Sequence, residues 1–493
     1  MTDKAPERCD ILIRNGTVVD GGGGPRKRAD VAVTDDRIVT VGDLSRTKGG
    51  REIDAAGLVV APGFIDVHTH DDYVLLSRPE MMPKLSQGVT TVVVGNCGVS
   101  VAPLKTPGRP PPPLDLLAGE GHWRFDSFAK YLDALDKDTP AINGVAMVGH
   151  STLRVGAMDR TDRAASATEI RAMRAMLEEA LDAGAIGLST GLAYKVAINA
   201  PTEEVIELSK GLLAAHGALY ATHMRNEGEK VIESMDEAFA IGRAASAPVV
   251  LSHHKVAGAP NFGRSRETLP HLDAARAKQP VGVDVYPYPA SSTVLSADMI
   301  PRSKKILVAW SKAMPQMSGR DLKDVAAELG CSQEEAVQKL QPAGGIYFAM
   351  DEADVRRIMA HKDIMIGSDG LPNDEHPHPR LWGTFPRVLG HYSRELGLFP
   401  LEEAVRRMTS LSANRFGLKD RGAVRAGAFA DLVLFDPKTV LDRATFDKPM
   451  QPAAGIATVL VNGRVAWEQG KATGARAGRA LRRKSLDQPM ASA

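Results

Sequence analysis

The spacing of hydrophobic positions changes near residue 63. Before it, from Cys9 to about Pro62, apolar residues alternate over short runs separated by tight turn signals, which predicts strands. Asp10-Ile11-Leu12-Ile13-Arg14 is followed by Asn15-Gly16 and then Thr17-Val18-Val19-Asp20, a hairpin signal. A second alternating pair, 30–33 and 37–42, flanks Asp35-Asp36. From Gly63 onward, strand-length apolar runs occupy 63–70, 90–96, 143–150, 185–192, 218–225, 247–255, 281–288 and 364–370. Helix-period stretches at 165–183, 202–216, 228–244 and 266–278 lie between them. Strand–helix alternation implies a parallel sheet, and eight such units predict a (β/α)8 TIM barrel with its chemistry at the C-terminal strand ends.

The rhythm breaks between Pro289 and about Ala349, where a long insertion containing a helix-like stretch at 322–340 precedes the last strand. An insertion after a strand end lies on the catalytic face and is expected to act as a lid. A helix at 401–416 follows, and then 427–436 and 459–463 return to strand-and-turn character. Neither chain end is large enough to bury a core alone, so both are expected to build one small β-sandwich domain. The expected organisation is 1–62 and 416–480 as its two parts, 63–415 as the barrel, 289–349 as the insertion within it, and 481–493 as a disordered tail.

Composition narrows the class. The chain has 493 residues, 43% hydrophobic and 25% charged, values ordinary for a globular enzyme. A net charge of +1 favours neither nucleic acid nor an anionic membrane, and no apolar run is long enough to span a bilayer. Residues 1–8 lack the basic-then-apolar layout of a signal peptide. Three cysteines, Cys9, Cys97 and Cys331, form no disulfide framework and suit a reducing cytoplasm. No protein partner is implied.

Ligand-type residues recur at the predicted strand ends. His68 and His70 alternate with Thr69 and so share a face, half of a metal site. Cys97 follows the second strand, as a zinc ligand or as a small buried hydrophobe. His150 ends the third strand, where a polar rim residue is equally expected. His223 ends the fifth. In the sixth, with Leu251 inward, alternation turns His253 inward and leaves His254 for packing. Asp369 ends the eighth strand; it suits a turn cap, or a base that exchanges a proton with a metal-activated water.

With Pro62-Gly63-Phe64-Ile65-Asp66-Val67-His68-Thr69-His70, Val94-Gly95-Asn96-Cys97-Gly98, Ser252-His253-His254-Lys255, Asp284-Val285-Tyr286-Pro287-Tyr288, Gly367-Ser368-Asp369-Gly370 and Asp374-Glu375-His376-Pro377-His378-Pro379-Arg380, the chain resembles the amidohydrolase superfamily, and within it the N-acyl-D-amino-acid deacylases, over nearly its whole length. The resemblance implies a tight zinc ion on Cys97, His223 and His253, with a second, weaker site on His68 and His70 sharing Cys97. It implies Asp369 as base and then acid, and N-acyl-D-amino acids as small-molecule substrates, cleaved to a carboxylate and a free amino acid. D-stereochemistry comes from the resemblance alone. Many binuclear relatives bridge their metals with a lysine on the fourth strand; this chain has none there, and Lys195 lies past its end.

A substrate carboxylate needs a cation, and Lys255 and Arg380 are candidates, with Tyr286 and Ser292 as hydrogen-bonding partners. Either cation can equally be structural. His376 and His378 receive no role. The segment 291–299 carries no cation, which favours neutral hydrophobic side chains, although Arg302, Lys304 and Lys305 follow closely. The rivals are a cyclic-amide hydrolase of the hydantoinase or dihydroorotase type, against which the missing lysine and present cysteine speak, and a non-catalytic scaffold, against which the full ligand set speaks.

Overall fold

The computed structural model describes residues 6–483. Parallel strands alternate with helices through its middle. Phe64–Asp66, Val89–Val94 and Asn143–Ala146 pair in order. Val148–Gly149, Gly187–Gly191, Leu219–His223, Val249–Leu251, Val281–Val285 and Met365–Ile366 form a six-stranded parallel run, also in sequence order. A parallel bridge between Thr69 and Gly370 joins the first of these segments to the last. The Asp369 amide donates to the His68 carbonyl at 2.7 Å across the same seam.

Alternation sorts the side chains. Ile65, Val93, Val145, Ile186, Leu219, Val250 and Met365 pack in one inner cluster with Phe416 and Leu481. Their neighbours Phe64, Val92, Tyr220, Val249 and Leu251 belong to an outer cluster that includes helix residues Met173, Leu177 and Met235. The helix Ala167–Ala183 shows how the local code works. Ser166 and Glu169 close a capping box at its start, and Gly184 ends it at φ 116°. Its buried stripe is Met173, Leu177, Ala180 and Leu181.

Several expected helices are broken. The stretch 322–340 is two helices, Leu322–Glu328 and Gln333–Leu340, separated at Gly330 (φ 60°) and restarted by the Ser332 cap. Gly211 (φ 78°) separates Thr202–Ser209 from Leu212–Ala215, and Thr409 separates Leu401–Met408 from Ser410–Phe416. A helix that the apolar spacing did not reveal, Phe128–Lys137, lies in the long connection after the second strand, capped by Ser127.

Asn15-Gly16 does not make a hairpin. Arg8–Arg14 pairs with Asp30–Thr34 and Lys48–Asp54, whereas Thr17–Val18 pairs with Lys27–Arg28 and Val59–Pro62 in a different sheet. The left-handed turn at Asn15 (φ 63°) carries the chain from one sheet to the other, and a side chain at Gly16 would meet Val60 at 2.6 Å. That second sheet has seven strands and draws on both chain ends, with Leu432–Phe435 hydrogen-bonded to Val59–Pro62. Near the C-terminus, Ala480–Leu481 runs parallel to Asn143–Ala146. Of the tail expected from 481, residues 484–493 lie outside the described residues.

The insertion carries an antiparallel sheet of its own, with Ala343–Tyr347 between Ser291–Val294 and Ile306–Ser311. Among the described residues, no helix is long and apolar enough to cross a membrane.

Candidate active site

The strand-end residues converge. Donor atoms of Cys97, His223 and His253 lie within 4.8 Å of one another, and those of His68, His70, Cys97 and Asp369 do the same. Cys97 Sγ lies 3.2 Å from His68 Nε2 and 3.3 Å from His253 Nε2. Burial opposes ionisation of this thiol, but the His68 and His253 charges outweigh it and hold Cys97 well below the ordinary thiol range. A thiolate facing several imidazoles in a buried pocket is a donor set that fits zinc.

Local backbone sets these positions. Cys97 (φ 53°), His253 (φ 37°) and Asp369 (φ 50°) all adopt left-handed conformations, strain of a kind concentrated at functional sites. The Cys97 turn is braced from the fourth strand: Ser189 Oγ accepts from the Gly98 amide at 3.0 Å and donates to the Gly95 carbonyl. Gly95 itself has φ 76°, and a side chain there would overlap the Met147 carbonyl. His253 does not reach the site by simple alternation. Its strand ends at Leu251, which packs in the outer cluster, and the left-handed turn at His253 resets the direction. His254 points away, 2.9 Å from Thr268 Oγ1, and burial pushes its pKa down to about 4.

Asp369 Oδ1 lies 3.2 Å from His70 Nε2 and 3.5 Å from His68 Nε2, and Oδ2 lies 2.9 Å from Arg380 Nη1. Burial raises this carboxyl, but Arg380 and His68 override it and hold Asp369 well below the usual carboxylate range. The four candidate substrate contacts gather around one ring. The Arg380 guanidinium is 4.5 Å and Lys255 Nζ 5.7 Å from the Tyr286 ring centre, and Arg380 Nη2 donates to the Ser292 carbonyl. Tyr286 OH and Arg380 Nε are buried without a hydrogen-bond partner, as expected where a polar ligand would complete the bonding.

Other histidines are structural in place. His150 meets Glu204 at 3.0 Å, outside both donor groups. His378 Nδ1 accepts from the Arg380 amide and Nε2 donates to the Ala290 carbonyl, tying the 378–380 turn to the insertion base. His376 Nε2 donates to the Phe446 carbonyl.

Several close residues escaped the sequence pattern. The Tyr194 ring packs 4.9 Å from His223. Glu227 lies 2.7 Å from Lys255 Nζ and 3.1 Å from His253 Nδ1. Asp284 Oδ1 accepts from the His253 amide and lies 3.3 Å from His68 Nδ1. Fully buried Lys84 donates to Asp66 Oδ2 at 2.8 Å and Ser368 Oγ at 2.9 Å, and lies 3.3 Å from Asp71. Asp66 Oδ1 in turn accepts from the Ser368 amide. Asp66, Asp284 and Ser368 stood inside the motifs that carry the resemblance, but polar residues beside a ligand carry no signal of their own.

A model of the amidohydrolase family matches residues 51–467. The chain is 56% identical over 483 residues to the D-aminoacylase of Alcaligenes xylosoxydans xylosoxydans, spanning 98% of this chain and 99% of that one. It is 49% identical to an N-acyl-D-glutamate deacylase of the same organism, across 97% of each chain. Among solved structures, the N-acyl-D-glutamate deacylase of Bordetella bronchiseptica, complexed with zinc and a phosphonate inhibitor, superposes with a TM-score of 0.93 at 48% identity, covering 97% of this chain and all of that one. The dihydropyrimidinase of Brevibacillus agri, at 17% identity and a TM-score of 0.60 over 97% of this chain and all of that one, shares the fold alone. The architecture is thus mixed α/β of the TIM-barrel type found in amidohydrolases.

Proposed function

The chain belongs to the amidohydrolase family, and we propose that it hydrolyses the amide bond of N-acyl-D-amino acids, releasing a carboxylate and a free D-amino acid. The observation that carries this is the convergence of Cys97, His223 and His253 in one donor group and of Asp369 in a second that shares Cys97, in a chain 56% identical to a D-aminoacylase. Cys97, His223 and His253 would hold a tight zinc ion, and His68 and His70 with Cys97 a weaker second one. Zinc bound there polarises the substrate carbonyl and lowers the pKa of a water.

The chain's own residues supply the proton traffic. Asp369 is ionised in its pocket and accepts the proton of the attacking water. Once protonated it returns that proton to the departing nitrogen as the C–N bond breaks. Arg380, Lys255, Tyr286 and Ser292 surround the place for the α-carboxylate, where Tyr286 OH and Arg380 Nε are left to donate although both cations also hold carboxylates of the chain. The 291–299 segment lacks a cation, so neutral, hydrophobic side chains are preferred. A cyclic-amide substrate is disfavoured: the strand Gly187–Gly191 offers no lysine, and the dihydropyrimidinase match is distant.

The parallel segments then form one closed (β/α)8 barrel, residues 1–62 and 416–480 a β-sandwich beside it, and residues 289–349 a lid over the catalytic face. The free cysteines suit a cytoplasmic enzyme. The test is hydrolysis of N-acetyl-D- and N-acetyl-L-methionine, leucine and glutamate side by side. D-methionine and D-leucine derivatives should be cleaved fastest; no turnover of any D-derivative by zinc-loaded protein would sink the assignment.

A further inference from the structure

Glu227 is a side chain, only 12% exposed, that no step above uses. It follows the strand Leu219–His223 in a turn held by Asn226, whose Oδ1 accepts from the Gly228 and Lys230 amides and whose own amide donates to Ser234 Oγ. The turn aims the carboxylate back at the pocket. Oε1 accepts from Lys255 Nζ at 2.7 Å and lies 3.1 Å from His253 Nδ1, while Oε2 lies 3.8 Å from His223 Nε2.

The geometry of His253 makes that contact informative. Its Nε2 faces Cys97 Sγ at 3.3 Å, so Nε2 is the nitrogen turned toward the donor cluster. In a neutral ring bound to zinc through Nε2, Nδ1 would carry the proton and need an acceptor. Lys255 Nζ, 2.8 Å from Nδ1, has only donors to offer and can bond Nδ1 only while that nitrogen is unprotonated. Among the described residues, the carboxylate oxygen paired with both is Glu227 Oε1. A histidine whose remote nitrogen donates to a carboxylate has its tautomer and ring orientation fixed, and becomes a better ligand.

We propose that Glu227 is a positioning residue that serves two sites at once: it orients His253 toward the metal and holds the Lys255 ammonium in place for the substrate carboxylate. This rests on His253 being a zinc ligand and Lys255 a substrate contact. The metal site and the carboxylate site then share one anchor. Disturbing Glu227 weakens both together, which a counter-ion for Lys255 alone would not do.

The experiment compares the wild-type chain with Glu227→Gln and Glu227→Asp, each checked for folding by circular dichroism. Zinc affinity is read by chelator competition on the resting protein, and KM and kcat with N-acetyl-D-methionine. Glu227→Gln keeps the shape but presents a neutral amide; zinc affinity should fall roughly tenfold to a hundredfold and KM should rise. Glu227→Asp keeps the charge and withdraws it by one methylene, and should fall between the two. In Glu227→Gln/Lys255→Met the ammonium is gone, and zinc affinity should stay low because His253 is still unheld. Wild-type zinc affinity in Glu227→Gln, or its recovery in the double variant, would overturn the proposal and reduce Glu227 to a counter-ion. If the wild-type chain itself held no zinc, both this inference and the assignment beneath it would fall.

Discussion

The Arg380 guanidinium lies 2.9 Å from the Asp369 carboxylate and is fully buried. A cation expected to meet the substrate thus already holds the group proposed to move the proton. Arg380→Met should therefore lower kcat as well as raise KM. Misplacing a reacting group by about 1 Å can cost roughly 10²-fold, and a loss of that order in kcat/KM is expected. A steady-state assay that finds KM raised with kcat untouched would confine Arg380 to substrate binding.

Asp369→Asn removes the base while leaving Cys97, His223 and His253 in place. General acid–base groups contribute about 10²- to 10⁴-fold, so turnover should fall by that amount. Elemental analysis should still find the tight zinc. Full activity in this variant excludes Asp369 from the proton transfer.

Cys97 is the donor shared by both ligand groups. Cys97→Ala should strip the tight zinc and abolish activity, as seen in the metal content of freshly purified protein. Unchanged zinc stoichiometry would remove Cys97 from the ligand set.

Lys84 has no exposed surface and pairs with both Asp66 and Asp71 at the seam between the first and last parallel segments. Removing one member of a buried ion pair leaves an uncompensated charge and costs about 3–5 kcal/mol. Lys84→Met should destabilise the chain by that much in urea unfolding. It should also loosen Ser368, next to Asp369. A loss below about 1 kcal/mol would show that the seam does not depend on this ammonium.

Burial, working against Arg380, pushes Asp374 up to about 7. Between pH 4 and 7 the unfolded carboxyl ionises while the folded one keeps its proton. Stability from this group is complete at the low end and is lost as pH rises to 7, by something on the order of 4 kcal/mol. Asp374→Asn stays neutral throughout. It should gain on the parent as pH rises from 4 to 7, with no further gain above that, as measured by unfolding at fixed pH.

The apolar spacing in the sequence was enough to place most of the parallel strands and the helix Ala167–Ala183, because strands buried on both faces read as short apolar runs and the helix buries one stripe between its own caps. The donors were legible as well: imidazole, thiol and carboxylate at strand ends are rare enough to stand out. The breaks at Gly330 and Thr409 were not, because period alone does not register a left-handed residue or a cap inside a helical run. Asn15-Gly16 reads locally as a hairpin, and only the distant partners of its two flanking strands send the chain into another sheet.

Two features of the site belonged to the tertiary structure. The pairing of Arg380 with Asp369, and of Glu227 with both His253 and Lys255, joins residues from separate elements. Their signal in the sequence is a lone charge with no periodicity to mark it. The direction of His253 was also decided there, by a left-handed turn after its strand had ended. Residue chemistry and spacing thus determined which side chains could form the centre. The backbone beyond the strand ends, shaped by contacts distant in sequence, decided which way they face and what holds them.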